Sequence, residues 1–274
     1  MTINCRGNLV DLSTPRIMGI LNITPDSFYS ESRNKADHAL IKNAEYMLKE
    51  GATFIDLGGY STRPGAEDIS QKEELDRMLP AVELLLKNFP EILISVDTFR
   101  SEVASECIKR GASLINDISA GHLDKNMLDV IAKYQVPYIM MHMRGTPQNM
   151  KEHNDYDDMK QEILFYFSER IKSARSLGIN DIIIDPGFGF SKNITQNFEL
   201  LSKLEIFEML SLPLLAGLSR KSTIYKTLGC EPEDALNGTT VMNTIALMKG
   251  ASILRVHDVK EAMEAVKLTS NLKN

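Results

Sequence analysis

The stretch IIIDPG at residues 182–187 places a carboxylate directly after three isoleucines. A continuous apolar run of this kind is typical of a parallel strand that is covered on both faces. An ionised carboxylate at the end of such a strand is costly without a partner, so we expect Asp185 to meet a cationic or amide donor. The stretch therefore predicts a buried strand and a functional position at its carboxyl end.

Similar apolar runs recur along the chain and alternate with helical patterns. The eight runs lie at 17–23, 54–58, 92–97, 113–118, 138–143, 182–185, 214–218 and 253–256. The helical patterns lie at 37–50, 72–88, 102–110, 126–134, 158–176, 196–210, 237–249 and 260–271. This alternation indicates βαβ units, and eight of them in 274 residues favour a closed (β/α)8 TIM barrel over an open sheet. We expect one domain, 1–274, with a short hairpin at 1–15 under the barrel.

Composition narrows the class of protein. The apolar fraction of 43% and the charged fraction of 25% are ordinary for a globular protein. The net charge of −6 disfavours nonspecific nucleic-acid binding. Cys5, Cys107 and Cys230 are far apart and form no Cys-x-x-Cys pair, which fits a reducing compartment. No apolar run is long enough to span a membrane, so we expect a cytoplasmic protein with no membrane or nucleic-acid partner.

Polar residues follow nearly every predicted strand. They are Asn22, Asp56, Asp97, Asn116, Asp117, His142, Arg144, Asp185, Ser219, Arg220, Lys221, Arg255 and His257. In a barrel these positions converge on one mouth, where barrel enzymes have their active sites. Any single residue of the set is equally compatible with a strand end that reaches water. The whole set favours a functional site.

The acidic and amide residues of this set suit a flat heterocycle. Asp97, Asn116 and Asp185 supply acceptors and one amide, which match a ring with amino and amide edges. Other chemistries fit less well. A dinuclear metal site would favour His-x-His on the first strand, which carries Asn22 instead, and no helix opens on a nucleotide-binding glycine motif after a strand.

The cationic residues suit phosphate. Arg63, Arg255 and His257 supply donors, and barrels often hold phosphate near the loops after strands 7 and 8. Lys221 is compatible with either group. Ser222 opens a helix, so it is equally well a plain helix cap or a neighbour of free N–H groups that hold a carboxylate.

Seven motifs in order resemble those of the dihydropteroate synthases. They read LNITPDSF at 21–28, GGYSTRPG at 58–65, SVDT at 95–98, INDI at 115–118, DPGFGF at 185–190, SRK at 219–221 and RVH at 255–257. The resemblance covers about residues 15 to 266. It implies condensation of 6-hydroxymethyl-7,8-dihydropterin pyrophosphate with p-aminobenzoate to 7,8-dihydropteroate and pyrophosphate, and inhibition by sulfonamides. The loop YSESR at 29–33 departs from the family's usual Ser-Asp-Gly-Gly, which puts the contacts of that loop in question.

The resemblance also implies a role for each matching residue. The pterin ring would be held by Asp97, Asn116, Asp185 and Lys221, with Met140 and Phe190 packed near it. The pyrophosphate would be contacted by Thr62, Arg63, Arg255 and His257, and its Mg²⁺ by Asn22. The p-aminobenzoate pocket would be shaped by Phe28, Pro64 and Ser222. The catalytic residues would be Asp97, Lys221, Arg63, Arg255 and His257, in a homodimer joined through 239–249 unless the apolar face of that stretch is core.

Three other functions stay open on the sequence. A barrel similar to methyltetrahydrofolate:corrinoid methyltransferases would share the pterin contacts but need no pyrophosphate clamp, so TRPG at 62–65 and RVH at 255–257 favour the synthase. A silent pterin-binding barrel would bind ligand without turnover. A phosphosugar barrel with Lys221 as a Schiff base would be trapped by borohydride.

Overall fold

A computed structural model describes residues 1–23, 33–60 and 69–272. The strands are β1 Thr2–Cys5, β2 Asn8–Asp11, β3 Arg16–Asn22, β4 Phe54–Gly58, β5 Leu93–Asp97, β6 Leu114–Asp117, β7 Tyr138–Met141, β8 Ile182–Asp185, β9 Leu215–Ala216 and β10 Ile253–Val256. The helices are α1 Arg33–Lys49, α2 Gln71–Asn88, α3 Ser101–Lys109, α4 Met127–Tyr134, α5 Met159–Ser176, α6 Ile194–Ser202, α7 Ser222–Leu228, α8 Leu236–Met248 and α9 Val259–Ser270. Within these ranges, we find no helix of the length and apolarity that a membrane crossing requires.

Strands β3 to β10 form one eight-stranded sheet in the order β8-β7-β6-β5-β4-β3-β10-β9. Each neighbouring pair in this sheet is parallel. The sheet closes on itself because Ile184 forms a parallel bridge with Leu214 and its N–H donates to the Pro213 carbonyl at 3.0 Å. The predicted TIM barrel is therefore confirmed.

Inward-facing side chains form two layers inside the barrel, since successive residues of a strand point to opposite faces. The floor layer is Met18, Phe54, Leu93, Leu114, Ile139, Ile183, Leu215 and Ile253, which pack in one apolar cluster. The mouth layer lies two residues further along each strand: Ile20, Asp56, Ser95, Asn116, Met141, Asp185, Gly217 and Arg255. The intervening residues face outward and pack against the helices. On β4, β5, β6, β8 and β10 the inward-facing side chain thus changes from apolar to polar within one alternation of the strand.

The N-terminal hairpin covers the floor layer from below. β1 pairs antiparallel with β2, and its buried and exposed residues alternate. Ile3, Cys5, Val10 and Leu12 pack in the same cluster as the floor layer. The Asn4 N–H also donates to the Asp181 carboxylate at 2.9 Å, next to the start of β8. The predicted hairpin under the barrel is confirmed.

Local capping explains where several helices begin. The Ser70 hydroxyl accepts from the Glu73 N–H at the start of α2. Asn193 and Gln196 form a reciprocal capping box at the start of α6. Such caps satisfy backbone donors that a helix leaves without internal partners.

The structure differs from the sequence prediction on the late part of the barrel. The pattern at 196–210 is α6 followed by a separate 3-10 helix, Leu204–Leu210. Strand β9 has two residues instead of the predicted 214–218, because the chain turns after it and the Lys221 N–H donates to the Leu218 carbonyl. Helix α7 then runs through a stretch for which only the opening residue was predicted.

Candidate active site

A carboxylate–arginine cluster occupies one side of the mouth. Arg255 donates from Nε to Asp56 Oδ2 and from Nη2 to Asp97 Oδ2, each at 2.6 Å. Asn116 Nδ2 donates to the same Asp56 oxygen at 3.1 Å. The other oxygens, Asp56 Oδ1 and Asp97 Oδ1, are buried and accept no hydrogen bond from the described part of the chain. The cluster therefore presents acceptors suited to a ligand that donates.

Burial sets the protonation behaviour of this cluster. It raises the pKa of the Asp97 carboxyl to about 7, although the Arg255 guanidinium acts in the opposite direction. Burial alone would lower the pKa of Arg255, but Asp56 and Asp97 outweigh it and the net shift is upward. The guanidinium therefore stays charged, while Asp97 changes protonation near neutral pH.

The opposite side of the mouth combines a carboxylate, an ammonium and an aromatic ring. Asp185 Oδ1 accepts from the Gly187 N–H at 2.8 Å. Lys221 Nζ donates to the Phe188 carbonyl and lies 4.9 Å from the centre of the Phe190 ring. Burial raises the pKa of Asp185 and lowers that of Lys221 to about 8, and the attraction between the two opposes both shifts. A flat ligand with donor and acceptor edges fits this set.

Gly217 shows how closely the two sides approach. A Cβ added there would lie 3.8 Å from Lys221 Nζ, 3.9 Å from Arg255 Cβ and 4.0 Å from Asp185 Oδ2. Three predicted site residues thus surround one position that has no side chain.

Gly58 shows a similar close approach of side chains at the outer rim of the mouth. A Cβ added there would lie 3.3 Å from Asn22 Oδ1 and 3.8 Å from Asp97 Cβ. The Asn22 side chain is exposed at the end of β3. Asn22 is therefore next to the carboxylate cluster and open to solvent.

His257 and Ser219 join the ends of β10 and β9. His257 Nδ1 lies 3.0 Å from the Ser219 hydroxyl, which also accepts from the His257 N–H at 3.2 Å. Lys221 occupies the cap position of α7 and Ser222 is its first helical residue. The interpretation of Ser222 as the helix cap is therefore wrong.

Two strand-end residues, Arg220 and Asp117, bind other protein groups outside the mouth. Arg220 turns away from the mouth and donates from Nε and Nη2 to the Asp258 carboxylate. Asp117 faces outward, where it accepts from the Ser119 N–H and from the Tyr138 hydroxyl at 2.6 Å. Both residues have protein partners and stabilise the fold around the site.

The structure corrects the prediction for Met140. In the β7 register it lies opposite Asp117 and Ile184, both outward-facing, and it is fully buried between barrel and helices. Met141 faces inward and packs in the same cluster as Phe190. A side chain between barrel and helices cannot contact a ligand in the mouth, so Met141 takes the place predicted for Met140.

Four predicted site residues lie outside the described part of the chain: Phe28, Thr62, Arg63 and Pro64. The loop at 29–32 lies outside it too, and the expectations for all of these stay predictions. Conversely, the sequence analysis placed Asp56 among the strand-end residues but assigned it no contact with a ligand. Its signal was an acidic residue inside the apolar run 54–58.

The comparison with known proteins agrees with this site. Residues 18–257 match the family described as pterin binding enzymes, and the chain belongs to that family. Relatives named dihydropteroate synthase match nearly the whole chain. That of Escherichia coli strain K12 is 44% identical over 270 residues, which is 98% of this chain and 95% of the relative. That of Synechocystis is 42% identical over 259 residues, 93% and 89% of the two chains.

Solved structures of dihydropteroate synthases match this chain over its full length. The Yersinia pestis dihydropteroate synthase with a sulfonamide drug complex has a TM-score of 0.92 at 42% identity, and the match covers 100% of this chain and 99% of that one. The Xanthomonas albilineans enzyme in complex with 7,8-dihydropteroate has a TM-score of 0.88 at 35% identity, with the same coverage.

Proposed function

We propose that this chain condenses 6-hydroxymethyl-7,8-dihydropterin pyrophosphate with p-aminobenzoate and releases 7,8-dihydropteroate and pyrophosphate. The observation that carries the proposal is the convergence of Asp97, Asn116, Asp185 and Lys221 on one mouth. Relatives named dihydropteroate synthase support it, and one of them is solved with 4-aminobenzoic acid and one with 7,8-dihydropteroate.

The pterin would occupy the space between the two sides of the mouth. Its amino group and ring N–H groups would donate to the carboxylates of Asp97 and Asp185, and Lys221 would donate to its acceptor edge. Phe190 and Met141 would pack against the ring. A buried acceptor without a donor costs about 1–3 kcal/mol, so a ligand that supplies the donor recovers that energy.

Catalysis would follow from charge neutralisation and positioning. The C–O bond to pyrophosphate would break first, and the electron-rich dihydropterin would stabilise the cation left at its exocyclic methylene. The amine of p-aminobenzoate would then attack this carbon, form the C–N bond and release a proton. Thr62, Arg63, Arg255 and His257 would stabilise the negative charge on the leaving group. Phe28, Pro64 and Ser222 would hold p-aminobenzoate in line for the attack, and this route requires no protein nucleophile.

Asn22 would hold Mg²⁺ on the pyrophosphate. Its amide oxygen is of the hard type that Mg²⁺ accepts, and it stands at the open rim of the mouth. Within the described ranges, no group of three or more histidines, cysteines and acids is placed to hold a metal. Mg²⁺ usually keeps several waters and binds through substrate phosphates, so the single amide oxygen of Asn22 suits it. When bound, it neutralises charge on the leaving group.

The working form would be a cytoplasmic homodimer of single-domain subunits. Val241, Ile245 and Met248 lie exposed on one face of α8, while Met242 and Ala246 are buried on the other. An exposed apolar face at this spacing suits a helical interface. Analytical ultracentrifugation should give a dimer for the wild type and a monomer for Ile245→Lys. A monomeric wild type would refute this arrangement.

A coupled pyrophosphate-release assay tests the reaction. With pterin pyrophosphate, p-aminobenzoate and Mg²⁺ together, we expect continuous release; omission of p-aminobenzoate should abolish it. Sulfonamides should inhibit competitively with p-aminobenzoate. Pterin binding without release would refute the proposal and favour a silent barrel or a barrel of the corrinoid methyltransferase type.

A further inference from the structure

Lys192 is a buried lysine that the proposed ligand contacts do not use. Its side chain is only 8% exposed. Nζ donates to the carbonyls of Gly187 and Phe190, each at 3.0 Å, and lies 3.1 Å from His142 Nδ1. Burial lowers the pKa of Lys192 to about 7, although the Asp185 carboxylate acts in the opposite direction. In its protonated form the ammonium has three N–H donors, and these three acceptors satisfy all of them.

This geometry defines the state of His142. Its Nδ1 accepts a hydrogen bond when the ring is neutral and carries its proton on Nε2. Burial lowers the pKa of His142 well below its usual value, and the charges of Lys192 and Arg144 act in the same direction. The neutral ring and the lysine donor are therefore mutually consistent.

Segment 187–190, whose first and last carbonyls bind Lys192, contacts two residues that are proposed to bind the pterin, Asp185 and Lys221. At one end of 187–190, the Gly187 N–H donates to Asp185 Oδ1. In the middle, the Phe188 carbonyl accepts from Lys221, and the Phe190 ring lies 4.9 Å from the same ammonium. Movement of this segment would therefore displace partners of Asp185 and Lys221 together.

The backbone of segment 187–190 follows a sterically restricted path next to His142. Gly187 has a φ of +72°, and a Cβ there would lie 2.1 Å from the His142 carbonyl oxygen. Any other residue would clash with the His142 backbone, directly after β7. Without the Lys192 donor, the Phe190 carbonyl would lose its side-chain partner, and the Gly187 carbonyl would keep only the Phe190 N–H.

We propose that Lys192, supported by His142, is a positioning residue for pterin recognition. It fixes segment 187–190 so that Asp185 and Lys221 face the ligand in a single arrangement, and it acts through these contacts without touching the substrate. This inference rests on the proposed function.

Calorimetry with 6-hydroxymethylpterin tests the role directly. Lys192→Met removes the ammonium but keeps an unbranched side chain. We expect its Kd for the pterin to rise by about tenfold or more, on the scale of lost charged hydrogen bonds. The KM for p-aminobenzoate at saturating pterin pyrophosphate should stay within about twofold.

Ser191→Ala is the matched control. The Ser191 hydroxyl links the N–H and carbonyl of Arg144, so it lies in the same loop but does not bind segment 187–190. Its pterin Kd should stay within about threefold. An unchanged pterin Kd in folded Lys192→Met, or equal losses for both substrates, would overturn the inference. A wild type that binds no pterin would instead overturn the proposed function.

A measurement on the wild type avoids any folding defect of the variant. In ¹⁵N spectra of the histidine side chains, assigned with His142→Gln, His142 should carry its proton on Nε2 at neutral pH. A proton on Nδ1 would contradict the proposed contact, because that nitrogen could not accept from Lys192.

Discussion

Phe54 and Asp56 lie two residues apart on β4 and both face the barrel interior, as do Ile253 and Arg255 on β10. The first of each pair belongs to the floor layer, where apolar side chains exclude water and stabilise the fold. The second belongs to the mouth layer, where carboxylates and a guanidinium are buried at a desolvation cost. On both strands, a residue that stabilises the fold and a residue placed for ligand recognition are therefore only two positions apart.

The largest expected effect breaks the floor layer. Phe54→Ala removes a fully buried ring and should lower the free energy of unfolding by about 3–5 kcal/mol, measured by urea denaturation. The kcat/KM of the folded fraction should change by less than about twofold. A large loss of activity in a folded, stable variant would show that the two layers are not separable.

The next effect breaks the mouth layer. Arg255→Ala should lower turnover by about 10²-fold, on the scale of one lost electrostatic stabiliser. Free pterin should also bind more weakly, because Asp56 and Asp97 lose their shared partner. The assay is pyrophosphate release with parallel calorimetry. Arg110→Ala is the control, since Arg110 pairs with Glu83 and Glu106 on the surface; equal losses in both variants would contradict the assignment.

Asp185 and Asp117 sharpen the comparison, because both are buried acids at strand ends on opposite faces. Asp185→Ala should weaken pterin binding by about 1.5–3 kcal/mol. It should change the unfolding free energy less than Asp117→Ala, because relief of a buried carboxylate offsets the loss of the Gly187 N–H partner. Asp117→Ala leaves the Tyr138 hydroxyl without its acceptor, so it should lose about 1–3 kcal/mol of stability instead. Calorimetry and urea unfolding on both variants would reveal an exchange of these phenotypes, which would refute the comparison.

The last prediction concerns the pH dependence of stability that arises from Asp97. Burial raises its pKa from 3.8 to about 7, so between these values the folded state holds a proton that the unfolded state has released. The stability it contributes is present below about pH 4 and is lost as the pH rises through about 7. Urea unfolding across this range should show that decline, and Asp97→Asn should remove it. An identical profile in both proteins would contradict the shifted pKa.

The sequence predicts the barrel well because covered parallel strands are continuous apolar runs, and β4, β8 and β10 have the predicted bounds. Asp97 and Asp185 lie at the mouth as predicted, since strand ends converge there. In a continuously apolar run the sequence does not show which face a residue occupies, so Met140 was predicted at the mouth where Met141 lies. The bond between Arg255 and Asp56 joins distant parts of the chain, and no local pattern encodes it.

The hairpin has a consequence for synthesis. Ile3 and Val10 are translated well before Leu215 and Ile253, which belong to the same apolar cluster, and β3 completes its pairing only with β10. On the ribosome, the apolar face of the hairpin therefore stays exposed until β10 has emerged. Exposed apolar surface of this kind favours aggregation and attracts chaperones, so the floor that stabilises the finished enzyme is a hazard of its nascent chain.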